Sequence, residues 1–196
     1  MYLFFDTETS GLPKNYSAPY TDMDNWPRLV QLAYCVADED GEVIESNSVI
    51  IKPNGFKIPT QASDIHNITT ARAMKEGIDL FEALNLFSEA IEDVDLVIAH
   101  NYGFDSNVVG AEFHRNALEN SLIFYEEFCT MKDPDIIEWV AAEPMMYDRY
   151  KWPTLTELYY KCFGTTFNSA HDAAADVIAL KECFFFMRNN GIIEFL

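Results

Sequence analysis

The chain has 196 residues, 49% of them hydrophobic and 23% charged, which fits one folded domain and excludes a disordered chain. Thirteen Lys and Arg stand against 32 Asp and Glu, a formal charge of −19. That balance argues against nonspecific duplex binding, which needs cations to neutralise phosphates, so a nucleic-acid partner must be held locally by metal ions or a partner protein.

Residues 2–5 (YLFF) read as a short buried strand that runs into Asp6-Thr7-Glu8. The apolar start is too short and lacks the basic flank of an export signal. No apolar run approaches the ~20 residues that cross a bilayer, so a cytoplasmic protein without membrane contact is expected. Residues 11–27, with Gly11, three Pro and two Asn, read as a loop insertion. Residues 29–37 and 43–51 read as two further strands around a D-E-D-G turn at 38–41. Leu80, Leu84, Phe87 and Ile91 give one apolar helical face over 79–91. A buried strand follows at 95–99, then a helix over about 104–118 and an edge strand at 128–131. Residues 141–153 read as irregular. Helices return at 154–163 and 172–188, the second capped by Asn168 or Ser169 and stopped by Asn190-Gly191. Cys35, Cys129, Cys162 and Cys183 are scattered, which argues for reduced core cysteines and against a zinc site.

Three clusters carry chemistry. In a strand, residues i and i+2 share a face, so Asp6 and Glu8 present two carboxylates side by side. Their repulsion is relieved by a hard divalent cation, although a solvated strand end would carry them equally well. His100-Asn101-Tyr102-Gly103-Phe104-Asp105 follows the strand at 95–99, and Asp105 falls in the first turn of the next helix. An acid there also suits the helix dipole without any other role. His171 and Asp176 lie about 500° apart along a continuous helix, so they converge only if His171 precedes the helix and Asp176 sits in its second turn.

Together, Asp6-x-Glu8, His100-Asn-x-x-Phe-Asp105 and His171-x-Ala-x-x-Asp176 resemble the three motifs of the DEDDh 3′→5′ exonucleases, the superfamily of the polymerase III epsilon proofreading subunit, ribonuclease T and oligoribonuclease. Asp172 stands where the tyrosine branch has Tyr, which favours the histidine branch. Ile65-His66-Asn67-Ile68-Thr69 is similar to an epsilon-type I-H-G-I-[ST] segment, with Asn67 replacing Gly. Phe128-Cys129-Thr130-Met131 resembles a segment that usually carries Asp at the Cys129 place.

The resemblance implies an α/β, ribonuclease H-like mixed sheet, with three antiparallel strands plus parallel strands flanked by helices, over a single domain 1–196. It implies that Asp6, Glu8, Asp105 and Asp176 hold two Mg²⁺ or Mn²⁺ ions for phosphodiester hydrolysis, with Asp6 bridging. His171 would be the general base that takes the water's proton. Thr7, His66, His100 and Asn101 are expected to contact substrate. The substrate would be a single-stranded or frayed DNA 3′ end met in proofreading or repair, releasing nucleoside 5′-monophosphates; an exoribonuclease on short RNA is the alternative. Tyr102, Phe104 and Trp26 offer stacking faces, and Arg149 with Lys151 the nearest basic patch. The apolar end 191–196 reads as docking on the domain, with a polymerase or sliding-clamp peptide as the other reading. An all-helical HD-type phosphohydrolase conflicts with the strand-rich first fifty residues, and a catalytically silent binding module with the presence of every carboxylate.

Overall fold

The computed structural model describes residues 1–141, 144–145, 149–168 and 170–194. Five strands form one sheet: β1 (Tyr2–Thr9), β2 (Leu29–Ala37), β3 (Val43–Ile50), β4 (Leu96–Ala99) and β5 (Glu126–Cys129), in the order β3-β2-β1-β4-β5. β1, β2 and β3 pair antiparallel, while β4 and β5 join them in parallel, so the sheet is mixed. β1 does not stop where its apolar run ends. β2 continues to supply partners as far as Thr9↔Leu29, and the ladder carries Asp6 and Glu8 inside the strand.

Strand alternation sorts the core. Leu3 and Phe5 of β1, Leu32, Tyr34 and Val36 of β2 and Val97 of β4 face one layer. That layer holds α3 (Leu80–Ile91) and α4 (Tyr102–Arg115). Phe4, Ala33, Cys35 and Ile98 face the other. There α5 (Pro134–Val140), α6 (Leu155–Phe163) and α7 (Ala173–Asn189) pack. Asp6 and Glu8 share parity with Phe4 and therefore look toward α7. Thr7 shares parity with Phe5 and looks toward α4.

Two helices escape the sequence reading, α1 (Thr60–His66) and α2 (Thr70–Glu76). Each is seven residues long, too short to show an apolar period. Asn67 ends α1 with φ 60°, a left-handed position that suits Gly and that Asn tolerates, which accounts for the substitution seen in the sequence. The cap of α7 is Asp172, not Asn168, and Ser169 lies outside the described residues. Asp172 accepts from the Ala174 N–H, three or more residues later in the chain than the expected cap. Asp176 accordingly falls in the first turn rather than the second. Part of 141–153 is two short paired strands, β6 (Pro144–Met145) and β7 (Arg149–Tyr150). Ile193 is buried in the α7 layer, while Phe195 and Leu196 lie outside the described residues. No described helix is long and apolar enough to cross a membrane.

The 11–27 segment is irregular as expected, yet it is anchored. Asn15 and Asn25 exchange hydrogen bonds of 2.7 and 2.9 Å, and the Trp26 indole donates to the Pro19 carbonyl at 3.1 Å. Tyr20 lies over Gly110 of α4, where a Cβ would stand 3.0 Å from its ring, so the approach needs glycine. Glu112, fully buried on α4, accepts from Arg28 Nε at 2.8 Å and from the Leu29 N–H at 3.0 Å. Arg115, paired with the same carboxylate at 3.1 Å, donates to the carbonyls of Met23, Trp26 and Pro27. Removing this carboxylate would strand two guanidinium groups at the loop's base. Glu112→Ala is expected to cost about 3 kcal/mol, or a fall of about 10 °C in Tm, by thermal circular dichroism; a change under two degrees would refute the anchoring role.

Candidate active site

β1 outruns its parallel neighbour. It pairs with β4 only over Tyr2–Phe4, so the β4 side of its last residues has no strand partner. α4 fills that gap. Its buried Asp105 accepts from the Thr7 N–H at 3.1 Å and from the Thr7 hydroxyl at 2.6 Å. Thr7 is thus itself buried and turned to Asp105.

From the other layer, α7 brings Asp176 and the turn before it brings His171. The His171 N–H donates to Asp176 Oδ2 at 3.1 Å, and His171 sits at φ 70°, a left-handed conformation that His adopts more readily than most residues. One ligand atom from each of Glu8, His171 and Asp176 lies within 4.8 Å of the others. The loop position before α7 therefore does bring His171 and Asp176 together.

A second link registers α7 on the sheet. Gln31 pairs with Glu8 across the β1–β2 ladder, and its amide donates to the Asp172 cap at 3.2 Å and to Ser48 at 3.0 Å. The register shifts just after Glu8, a bulge that ends regular pairing beside the acids. Gln31 was not among the expected site residues, and its place opposite Glu8 identifies it.

Crowding sets the electrostatics. Burial first, then the carboxylates of Asp105, Asp176 and Glu8, hold Asp6 well above the usual carboxylate range. Burial, Asp176 and Asp105 push Glu8 up to about 8. Burial lifts Asp105 to about 7 against the two Thr7 hydrogen bonds. Burial raises Asp176 to about 6, opposed by the His171 N–H. These are acid groups with oxygen donors, mutual repulsion and an adjacent imidazole, a donor set that suits hard divalent cations.

The remaining expected contacts separate. Both His100 ring nitrogens are engaged inside the protein, Nδ1 with Thr130 Oγ1 and Nε2 with the Pro153 carbonyl, each at 2.9 Å. Burial pushes its ring down to about 4, so it braces two loops as a neutral imidazole. Asn101 takes φ 79° as the cap of α4, without a side-chain cap bond. His66 is buried, accepts from the Ile68 N–H at 3.1 Å, and turns Nε2 toward the Thr9 backbone without reaching hydrogen-bond geometry. It lines a cleft of about 550 Å³ with residues 7–12, Ile65 and Phe104, opening beside Glu8. Of the three candidate stacking rings, Phe104 faces this cleft, whereas Trp26 and Tyr102 are buried. Lys151 is paired with Glu157 at 2.6 Å.

The family model described as "Exonuclease" matches residues 3–184. No curated protein matches the chain. Among solved structures, E. coli exonuclease I in complex with a dT13 oligonucleotide is similar at 22% identity and a TM-score of 0.74, over 95% of this chain and 40% of that one. The zinc-bound form of the E. coli exonuclease I–ssDNA complex gives 21% identity and a TM-score of 0.75, over 97% and 41%. The chain thus spans about two fifths of these relatives' length and shares the fold of that part.

The raised carboxylates make a stability prediction. The folded state holds their protons more tightly than the unfolded chain, whose carboxyls titrate near ~4. Metal-free protein should therefore lose stability as pH rises from about 4 through about 8. Thermal melts in EDTA should show Tm falling across that window, less steeply in Glu8→Gln. Mg²⁺ or Mn²⁺ should raise Tm most at its upper end. Identical slopes for wild type and Glu8→Gln would contradict the electrostatic account.

Proposed function

Since the chain belongs to the exonuclease family, we propose that it is a divalent-metal-dependent 3′→5′ exonuclease that removes nucleoside 5′-monophosphates from DNA ends. The observation that carries this reading is the meeting of Glu8, His171 and Asp176 within 4.8 Å, beside Asp6 and Asp105 and at the mouth of a cleft. An isolated acidic patch would need no imidazole and no cavity.

Asp6, Glu8, Asp105 and Asp176 would hold two Mg²⁺ or Mn²⁺ ions. When bound, these would supply Lewis acidity for an in-line displacement at phosphorus. The protein's own groups do the rest. Thr7 holds Asp105 by two hydrogen bonds, so this carboxylate keeps one orientation. His171 accepts the proton of the attacking water. The water oxygen bonds to phosphorus, the bond to the 3′ oxygen breaks, and that oxygen regains a proton from solvent. The exposed turn that carries His171 lets the imidazole return its proton to bulk water. The terminal nucleoside fits the cleft, with Phe104, Leu12 and Ile65 as apolar walls for its base.

DNA is favoured because E. coli exonuclease I, which shares the fold, was captured with dT13. The excess of acid over base favours a few nucleotides of single strand over a duplex grip. Proofreading or repair is the setting such chemistry suits.

The test uses 5′-labelled DNA and RNA of one sequence with Mg²⁺ or Mn²⁺. A ladder shortening from the 3′ end is expected on DNA. Asp6→Asn should abolish it, and His171→Ala should slow it by about a hundredfold or more. Faster cleavage of RNA would move the reading to an exoribonuclease, and no ladder on either would reject it.

A further inference from the structure

Two loops meet at the β5 end of the sheet. The turn after β5 carries Lys132, and the segment before α6 carries Trp152. His100 ties both in place, through Thr130 on one side and Pro153 on the other. Thr130 also donates its N–H to the Ala99 carbonyl, and it is fully buried. These residues therefore stand on a fixed base although their own tips are exposed.

The Lys132 ammonium lies 5.1 Å from the centre of the Trp152 ring, and the indole remains 57% exposed. A Cβ placed on Gly103 would stand 3.6 Å from the same ammonium, so Lys132 also touches the first turn of α4. The helix dipole adds positive potential there. Among the described residues no carboxylate lies within ion-pair distance of Lys132. On a chain with 32 Asp and Glu against 13 Lys and Arg, such an ammonium keeps its charge available to a phosphate.

The sheet sets the distance. β1, β4 and β5 are neighbours, and two strand spacings make roughly 10 Å from the acids to the end of β5. In sheet order the cleft wall at Ala62 packs on Val30 of β2, to one side of β1, whereas Lys132 follows β5, to the other. A strand whose last nucleoside fills the cleft and whose scissile phosphate meets the acids must leave on that second side.

We propose that Lys132 and Trp152 form a subsite for the nucleotide on the 5′ side of the scissile bond, the ammonium taking its phosphate and the indole its base. This rests on the exonuclease reading above. An indole stacks on any base, so the subsite grips single strands without reading sequence. The phosphate contact supplies locally the cation that the chain lacks globally.

The experiment compares two substrates with Mn²⁺: a single-stranded DNA oligonucleotide, and the p-nitrophenyl ester of thymidine 5′-monophosphate, which has no nucleotide on the 5′ side. For Lys132→Ala and Trp152→Ala combined, kcat/KM should fall about tenfold on the oligonucleotide and less than twofold on the ester. An equal fall on both would mark a structural fault and overturn the proposal, as would no fall on either. Fluorescence anisotropy of a labelled oligonucleotide in Ca²⁺ gives an arm that needs no cleavage. There Lys132→Ala should weaken binding and make the slope of log affinity against log salt shallower by roughly 0.7, the value for one phosphate contact on a single strand. An unchanged affinity and slope would overturn it. If wild type cleaves neither substrate, the exonuclease reading falls, and the anisotropy arm still decides the subsite.

Discussion

The site depends on a mismatch of length. β1 has eight residues and β4 beside it only four. Had β4 continued, its backbone would have taken the Thr7 N–H, and a helix could not have entered. Because it stops, the Thr7 N–H is satisfied by the carboxylate of Asp105, and a buried donor and a buried acid answer each other. One strand end then receives acids from both layers. Its own period of two sends Asp6 and Glu8 toward α7, and its open edge admits Asp105 from α4.

That arrangement opposes folding. Two unit charges ~4 Å apart repel by about 4 kcal/mol at an effective dielectric near 20. A whole domain is stable by only about 5–15 kcal/mol. Four ionised carboxylates cannot then share this space unaided, and either protons or cations must relieve them. The surrounding sheet is what tolerates the cost: Phe4, Phe5, Ala33 and Val97 are all buried beneath the cluster. The hydrophobic layers hold the strand rigid, and the acids exploit that rigidity.

Most of this was legible because it is written in short periods. The i, i+2 spacing of Asp6 and Glu8 implied one face, and the strand before His100 implied a helix start at Asp105. His171 and Asp176 converge because the helix begins between them, and only the position of the cap was misread. Asp172 entered the sequence reading only as the place where the tyrosine branch has Tyr, and its carboxylate caps α7 and meets Gln31. His100 shows the opposite limit. A histidine in a motif suggests contact with substrate, but its two partners, Thr130 and Pro153, lie 30 and 53 residues away. No local pattern encodes such long closures. α1 and α2 were missed for a different reason, since a seven-residue helix leaves no amphipathic trace.

The turn at His171 separates where a residue sits from what it supplies. Its anchor to Asp176 is the main-chain N–H, which every residue but proline possesses. Its φ of 70° is a conformation that glycine adopts without cost. A glycine at 171 would leave the turn, the cap and the cluster of acids as they are and delete the imidazole alone. The vacated space opens to solvent, so a small heterocycle added to the buffer can diffuse in and stand where the imidazole stood. The fold has thus made this imidazole a replaceable part on a permanent mount.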